Sequence, residues 1–196
     1  LGAEDLKFSL FDFFGPIAGA FIGLWGLAVV AAMQIINWGI NGFATEITAL
    51  IRLVPVLFAV LYFAKDYRKW TLIAPGLAMI AFWAHPEGRT AWYFALYWTI
   101  PFFAYFFSKK YIFARALGAT FTQHAVGGAL WIWGTGMKSS IWLFLVPIVW
   151  RERILMAIGI ALTFMGVNYI LRIIREKTSW KLSFVDITKK LAAHHK

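Results

Sequence analysis

Apolar residues fill this chain in long blocks separated by short polar segments, and the spacing inside the blocks is helical. The clearest block is ARALGATFTQHAVGGALWIWGTGM (114–137), which carries no formally charged residue for 22 positions after Arg115. As helix, that is enough to cross a bilayer core of ~30 Å. Thr120, His124, Gly127/Gly128, Trp131 and Thr135 recur at three- and four-residue steps, and Phe121, Ala125, Ala129 and Ile132 make a second, apolar face. A polar stripe at membrane depth must face protein or a cavity, because lipid offers it no partners. This helix is therefore expected to form one wall of a binding site.

Five further spans are expected around it. Phe13–Ile36 is the first, with Gly15, Gly19, Gly23 and Gly26 on one face and Ala28 and Ala32 continuing the small-residue spacing. Such faces let helices approach closely, either within the bundle or against another subunit. Residues 37–46 (NWGINGFATE) read as a loop. Ile47–Ala64, Thr71–Ala84 and Thr90–Phe107 follow as spans two to four, separated by the basic loop 65–69 and the turn HPEGR (85–89), with SKK (108–110) before span five. Lys138–Arg153 reads as a connection whose apolar run, Ile141–Trp150, is too short to span and dips into the interface. Ile154–Leu171 is span six.

The predicted class is an all-α integral membrane protein: a six-transmembrane-helix bundle over residues 1–175 and a basic amphipathic tail over 176–196. In the tail Trp180, Phe184, Ile187 and Leu191 share a helical face, as in an interfacial helix or a packed terminal one. Placing both termini, 65–69 and 108–115 in the cytoplasm puts 14 of the 19 Lys and Arg residues inside.

Composition sharpens this picture. The chain is 61% hydrophobic and only 14% charged, against ~25% charged in soluble domains. A net charge of +10 would suggest nucleic acid for a soluble protein; here membrane topology explains it, and no nucleic-acid partner is expected. Without cysteine, thiolate metal sites and disulfides are excluded, and no cofactor or metal is expected. No paired carboxylates or histidine–carboxylate cluster stands inside a span, so no catalytic residue is assigned.

Candidate chemistry lies instead with tryptophan. Of the eleven, Trp38, Trp83, Trp92, Trp131, Trp133, Trp142 and Trp150 fall on the outer side of the expected topology. Belts populate both interfaces, so an outer excess suggests an aromatic-lined pocket open outward. Its polar candidates are Asn37, Asn41, His85, Arg89, Gln123 and His124. Arg52 would either meet a carboxylate or phosphate of a ligand or pair with Glu46. The expected ligand-binding set is thus Asn37, Trp38, Asn41, Arg52, His85, Trp92, Gln123, His124, Trp131 and Trp142.

FFGPIAGAFIG (13–23) and LGATFTQHAVGGALWIW (117–133), with the chain length and six spans, resemble the substrate-binding S components of energy-coupling-factor vitamin transporters. The resemblance implies a multi-pass plasma-membrane protein that binds a small, vitamin-like solute and lacks its own ATPase. It implies ligand contacts at 37–41, 123–133 and Trp142, and docking of a membrane coupling subunit, with cytoplasmic ATPases, at Ala28 and Ala32. A membrane enzyme acting on a lipid-linked or small substrate, and a structural subunit of a larger membrane complex, are the competing readings.

Overall fold

The computed structural model describes residues 10–64 and 67–177; the expected amphipathic tail falls outside them. The described residues are helical, with no strand among them. In chain order they form α1 (Leu10–Ile22), α2 (Leu24–Ile40), α3 (Ile47–Leu53), α4 (Pro55–Phe63), α5 (Arg68–Thr71), α6 (Ile73–Ala84) and α7 (Pro86–Thr90). A 3-10 helix over Trp92–Thr99 then leads into α8 (Ile100–Phe107), α9 (Ile112–Thr135) and α10 (Ser139–Lys177).

The helix expected over 114–137 is α9, and it stands at the centre, packed on α3, α4, α6, α8, α10 and the 3-10 helix. Gly136 ends it in the left-handed conformation, φ 61°, with its N–H bonded to the Ile132 carbonyl. Ala116, Ala119, Phe121, Ala125 and Ile132 are fully buried. A helix surrounded on most sides needs small residues where neighbours come close. Gly128 is one such position: a Cβ there would lie 2.5 Å from Cζ2 of the Trp98 indole.

The first expected span is not one helix. It breaks at Gly23, whose φ of 56° and ψ of −130° suit glycine and few other residues. The chain then turns back on itself: a Cβ at Gly26 would lie 2.6 Å from the Ala18 carbonyl carbon. α1 and α2 are thus a tight helical hairpin, and the small residues at its tip pack against each other rather than along a straight span. Ala28 and Ala32 remain exposed on α2.

The expected connection over 138–153 is also corrected. It forms the first part of α10, a single helix of 39 residues, about 58 Å long at ~1.5 Å per residue. Pro147 inside it removes one backbone donor; next to it the Tyr97 hydroxyl donates to the Val146 carbonyl at 3.0 Å. The Arg151–Glu152–Arg153 run does not end the helix, because Arg153 Nη2 pairs with Glu152 Oε2 at 3.3 Å and is largely covered.

Smaller differences follow from local chemistry. Pro55 splits the second expected span at Val54, since proline lacks the donor a continuous helix needs. HPEGR is a short helix, with Nδ1 of His85 accepting from the Glu87 N–H at 3.3 Å. The upper half of the fourth expected span is a 3-10 helix of eight residues, longer than the three to four usual for that form.

Two ends of the bundle can be recognised by their polar staples. At one, buried Arg68 donates from Nε to the Tyr62 carbonyl (2.8 Å), from Nη2 to the Phe63 carbonyl (3.4 Å) and from Nη1 to Ser108 Oγ (3.3 Å). Arg115 Nε adds a bond to the Ser108 carbonyl at 3.3 Å. The basic segments around 68 and 108–115 therefore meet. At the other end Glu87 accepts from the Ser139 N–H at 2.8 Å and from Lys138 Nζ at 3.4 Å. α9 and α10 run antiparallel between these ends, tied by Thr120 Oγ1 donating to Met156 Sδ at 3.2 Å. α1 runs parallel to α4, since Gly15 abuts Val56 and Phe21 reaches Phe164 and Phe63 lower down. The hairpin tip thus points to the Arg68 end, and Asp12 begins near mid-height, level with Arg153 and His124.

Candidate functional site

The hairpin, α3, α4, α9 and α10 enclose a cavity of about 880 Å³. Each element reaches it for a local reason. The hairpin brings Phe11 and Asp12 of α1 beside Met33, Gln34 and Asn37 of α2. The break before Pro55 turns Ile51, Arg52, Pro55 and Val56 toward the same space. α9 contributes Gln123, His124, Gly127, Gly128 and Trp131. From α10 come Ile141, Trp142, Leu145 and Arg153, with Met137 just before it.

The polar stripe of α9 divides. His124, Gly127, Gly128 and Trp131 face the cavity. Thr120 lies fully buried below it against Met156, and exposed Thr135 bonds back to the Trp131 carbonyl at 2.8 Å. His124 is held from behind: the Trp98 indole N–H donates to its Nδ1 at 3.0 Å. With Nδ1 an acceptor, the neutral imidazole carries its proton on Nε2 and offers a donor there. Phe94 and Phe121 pack around the same ring.

Two buried atoms in the wall have no hydrogen-bond partner among the described residues, Oε1 of Gln123 and Nε of Arg153. Arg153 spends Nη2 on Glu152, so its charge is balanced while Nε–H is not used. Arg52 makes no ion pair among the described residues, and the alternative partner considered for it, Glu46, is exposed. Charged groups of the wall are therefore Asp12, Arg52 and Arg153, with Glu152 behind the last.

Of the residues singled out from sequence, Asn37, Arg52, Gln123, His124, Trp131 and Trp142 come together here. Trp38, Asn41, His85 and Trp92 do not. The Trp38 indole donates to the Ala44 carbonyl at 2.8 Å and stands edge-on to Phe43, closing the 41–46 loop. Asn41 bonds the Asn37 carbonyl at 2.6 Å. His85 caps α7 and stacks edge-on with Trp133, and the Trp92 carbonyl accepts from the Trp83 indole at 2.9 Å. Most of the outer tryptophans thus brace loops and helix ends; Trp131 and Trp142 are those that reach the cavity.

Asp12, Gln34 and Arg153 were not singled out from sequence as cavity residues. In a straight helix Asp12 and Gln34 would stand about 33 Å apart at ~1.5 Å per residue, and only the reversal at Gly23 joins them. Arg153 was hidden differently: beside Glu152 and directly before an uncharged 18-residue run it reads as the boundary of an expected span, whereas α10 runs on through it and brings it to the cavity wall. Comparison with protein-family models, with curated proteins and with solved structures returns no match.

Proposed function

We propose that this chain is a multi-pass membrane subunit that binds a small solute in the α9 cavity, in the manner of the S components it resembles. The observation that carries the reading is the cavity of about 880 Å³ itself, into which α9 sets His124 and Trp131 beside Trp142 of α10.

Membrane placement is supported by α10, the one helix among the described residues long and apolar enough to cross a bilayer by itself. The other passes in this reading are the single helices α2 and α9 and the composites α3–α4, α5–α6 and the 3-10 helix with α8. In this reading α1 is a half-depth element that re-enters beside them. Trp25, Ile36, Leu77, Ile80, Phe103 and Phe106 are each more than half exposed, an apolar surface that lipid covers and water does not. The Arg68–Arg115 end is cytoplasmic and the Glu87–Ser139 end external, by the bias of Lys and Arg. Exposed Ala28 and Ala32 offer the hairpin's outer side to a coupling subunit, which with its ATPases would supply the energy.

The test is cavity filling. A Cβ at Gly127 meets only Pro55, at 3.4 Å, so a phenylalanine there projects into the cavity. Protein purified in lipid nanodiscs and then denatured should release a small molecule detectable by mass spectrometry, and Gly127→Phe should release none while melting like the parent. Equal release from the two, or none from the parent, overturns the proposal.

A further inference from the structure

A second hollow, of about 370 Å³, lies between α8 and the first turns of α9, nearer the Arg68 end than the cavity is. Its lining is aliphatic and aromatic throughout. Ala104 and Ala114 supply short side chains, and Phe103, Phe107, Tyr111 and Leu117 stand about them. Phe103, Phe107 and Tyr111 are each more than half exposed, so the hollow opens on the outside of the bundle.

The turn between the helices gives it its shape. The Phe107 carbonyl at the end of α8 accepts from the N–H groups of Lys110 (3.0 Å) and Tyr111 (2.9 Å), just before α9 begins at Ile112. The two helices leave this turn side by side, and an alanine on each side of the seam leaves a furrow. From Phe107 up to Ile100 it runs about 10 Å at ~1.5 Å per residue. Its lower end is basic. Lys110 Nζ sits 5.1 Å from the centre of the Tyr111 ring, which lines the furrow. Lys109 beside it is exposed, and neither lysine has an ion-pair partner among the described residues.

Size decides what fits. Over that length an α-helix ~10 Å across occupies roughly 800 Å³, about twice the furrow. A single extended hydrocarbon chain lies within it. Resting on the membrane placement above, we propose that the furrow seats one acyl chain of an anionic phospholipid, with its phosphate on Lys109 and Lys110. The chain covers the exposed aromatic walls, and two compact ammonium charges hold the phosphate at the basic end of the bundle. A zwitterionic lipid finds the same furrow but brings a cation that the lysines repel.

The probes are dioleoylphosphatidylglycerol and dioleoylphosphatidylcholine, added in equal amounts to the delipidated full chain in detergent and read by native mass spectrometry. Phosphatidylglycerol should be retained about tenfold or more over phosphatidylcholine, and sn-glycerol 3-phosphate should not displace it. Lys109→Gln with Lys110→Gln should abolish the preference. Arg175→Gln with Lys177→Gln, which removes the same charge from the end of α10, should keep it. Ala114→Phe should fill the furrow and lower retention of both lipids while melting like the parent. Equal retention of the two lipids, a preference that the lysine pair does not change, or displacement by glycerol 3-phosphate overturns the assignment. A dimer that Ala114→Phe disperses gives the furrow to a second copy and overturns it too. Carbonate washing of cell membranes separates the two readings. If the chain stays in washed membranes and shows no lipid preference, this assignment falls and the membrane placement stands; if carbonate releases it, both fall.

Discussion

The indole N–H of Trp98 donates to Nδ1 of His124 across 3.0 Å, joining the 3-10 helix to the centre of α9. Trp98 is fully buried, while His124 also borders the cavity. One side chain thus fixes which nitrogen of the other is the acceptor and leaves Nε2 to carry the proton beside the cavity.

Removing that donor while keeping an aromatic ring isolates its role. Trp98→Phe should preserve the helical content and weaken binding of the molecule released from the parent protein by about tenfold, because His124 is freed to adopt the other tautomer. Gly128→Ala attacks the same contact from the opposite side, since the added methyl would press on Cζ2 of the indole. It should lower thermal stability by about 1–3 kcal/mol, as overpacking does. Unchanged melting and binding in both variants would mean that the 3-10 helix does not position His124.

The hairpin makes a geometric prediction. Cysteines at Phe11 and Gln34 in this cysteine-free chain should be bridged within one molecule by a short bis-maleimide, because both residues border one cavity. In a straight helix they would stand about 34 Å apart at ~1.5 Å per residue, and no short linker would join them. Gly23→Ala should destabilise by about 1–3 kcal/mol, because its φ of 56° and ψ of −130° strain any residue with a Cβ. Absence of the cross-link would restore a single straight span.

Acid should loosen the corner where Glu87 meets Ser139. The Ser139 backbone N–H, aided by its side chain and by Lys138, holds the Glu87 carboxyl below its usual range. A depressed carboxylate contributes stability that is present above its unfolded pKa of about 4.3 and is lost as pH falls through the lower folded value. The melting temperature of the parent should therefore drop between pH 5 and acid pH more than that of Glu87→Gln, the two converging at the acid end. Parallel pH profiles would show that the Glu87–Ser139 contact does not hold α7 to α10.

What was legible in the sequence depended on whether local pattern or tertiary contact decided the outcome. α9 was legible because its two faces differ and Gly136 punctuates its end. Gln123, His124, Trp131 and Arg52 followed as cavity residues, since polar groups within apolar helices need a protein or cavity partner. The hairpin was hidden because glycines recur every few residues from Gly15 to Gly26, and the apolar pattern runs straight through the reversal. Only the positive φ of Gly23 and the contact of Gly26 with Ala18 decide it. In α10, the run Ile141–Trp150 before the charges at 151–153 looked too short to span; the Arg153–Glu152 pair, not readable from spacing, lets one helix continue through it. Trp38 was misplaced because a tryptophan bracing a loop carbonyl and one facing a ligand have the same local sequence signature; Trp92 keeps an exposed ring and gives only its backbone carbonyl, to Trp83.

The most direct measurement is the accessibility of the cavity in intact cells. A single cysteine at Gly127, which borders the cavity, should react with a membrane-impermeant maleimide from outside. Exposed Ser140→Cys at the Glu87 end should react likewise, and exposed Lys109→Cys at the Arg68 end only after permeabilisation. Addition of the molecule released from the parent protein should slow labelling at position 127 and leave position 140 unaffected. Labelling at 127 only after permeabilisation, or at a rate the released molecule does not change, would contradict an outward-open solute site.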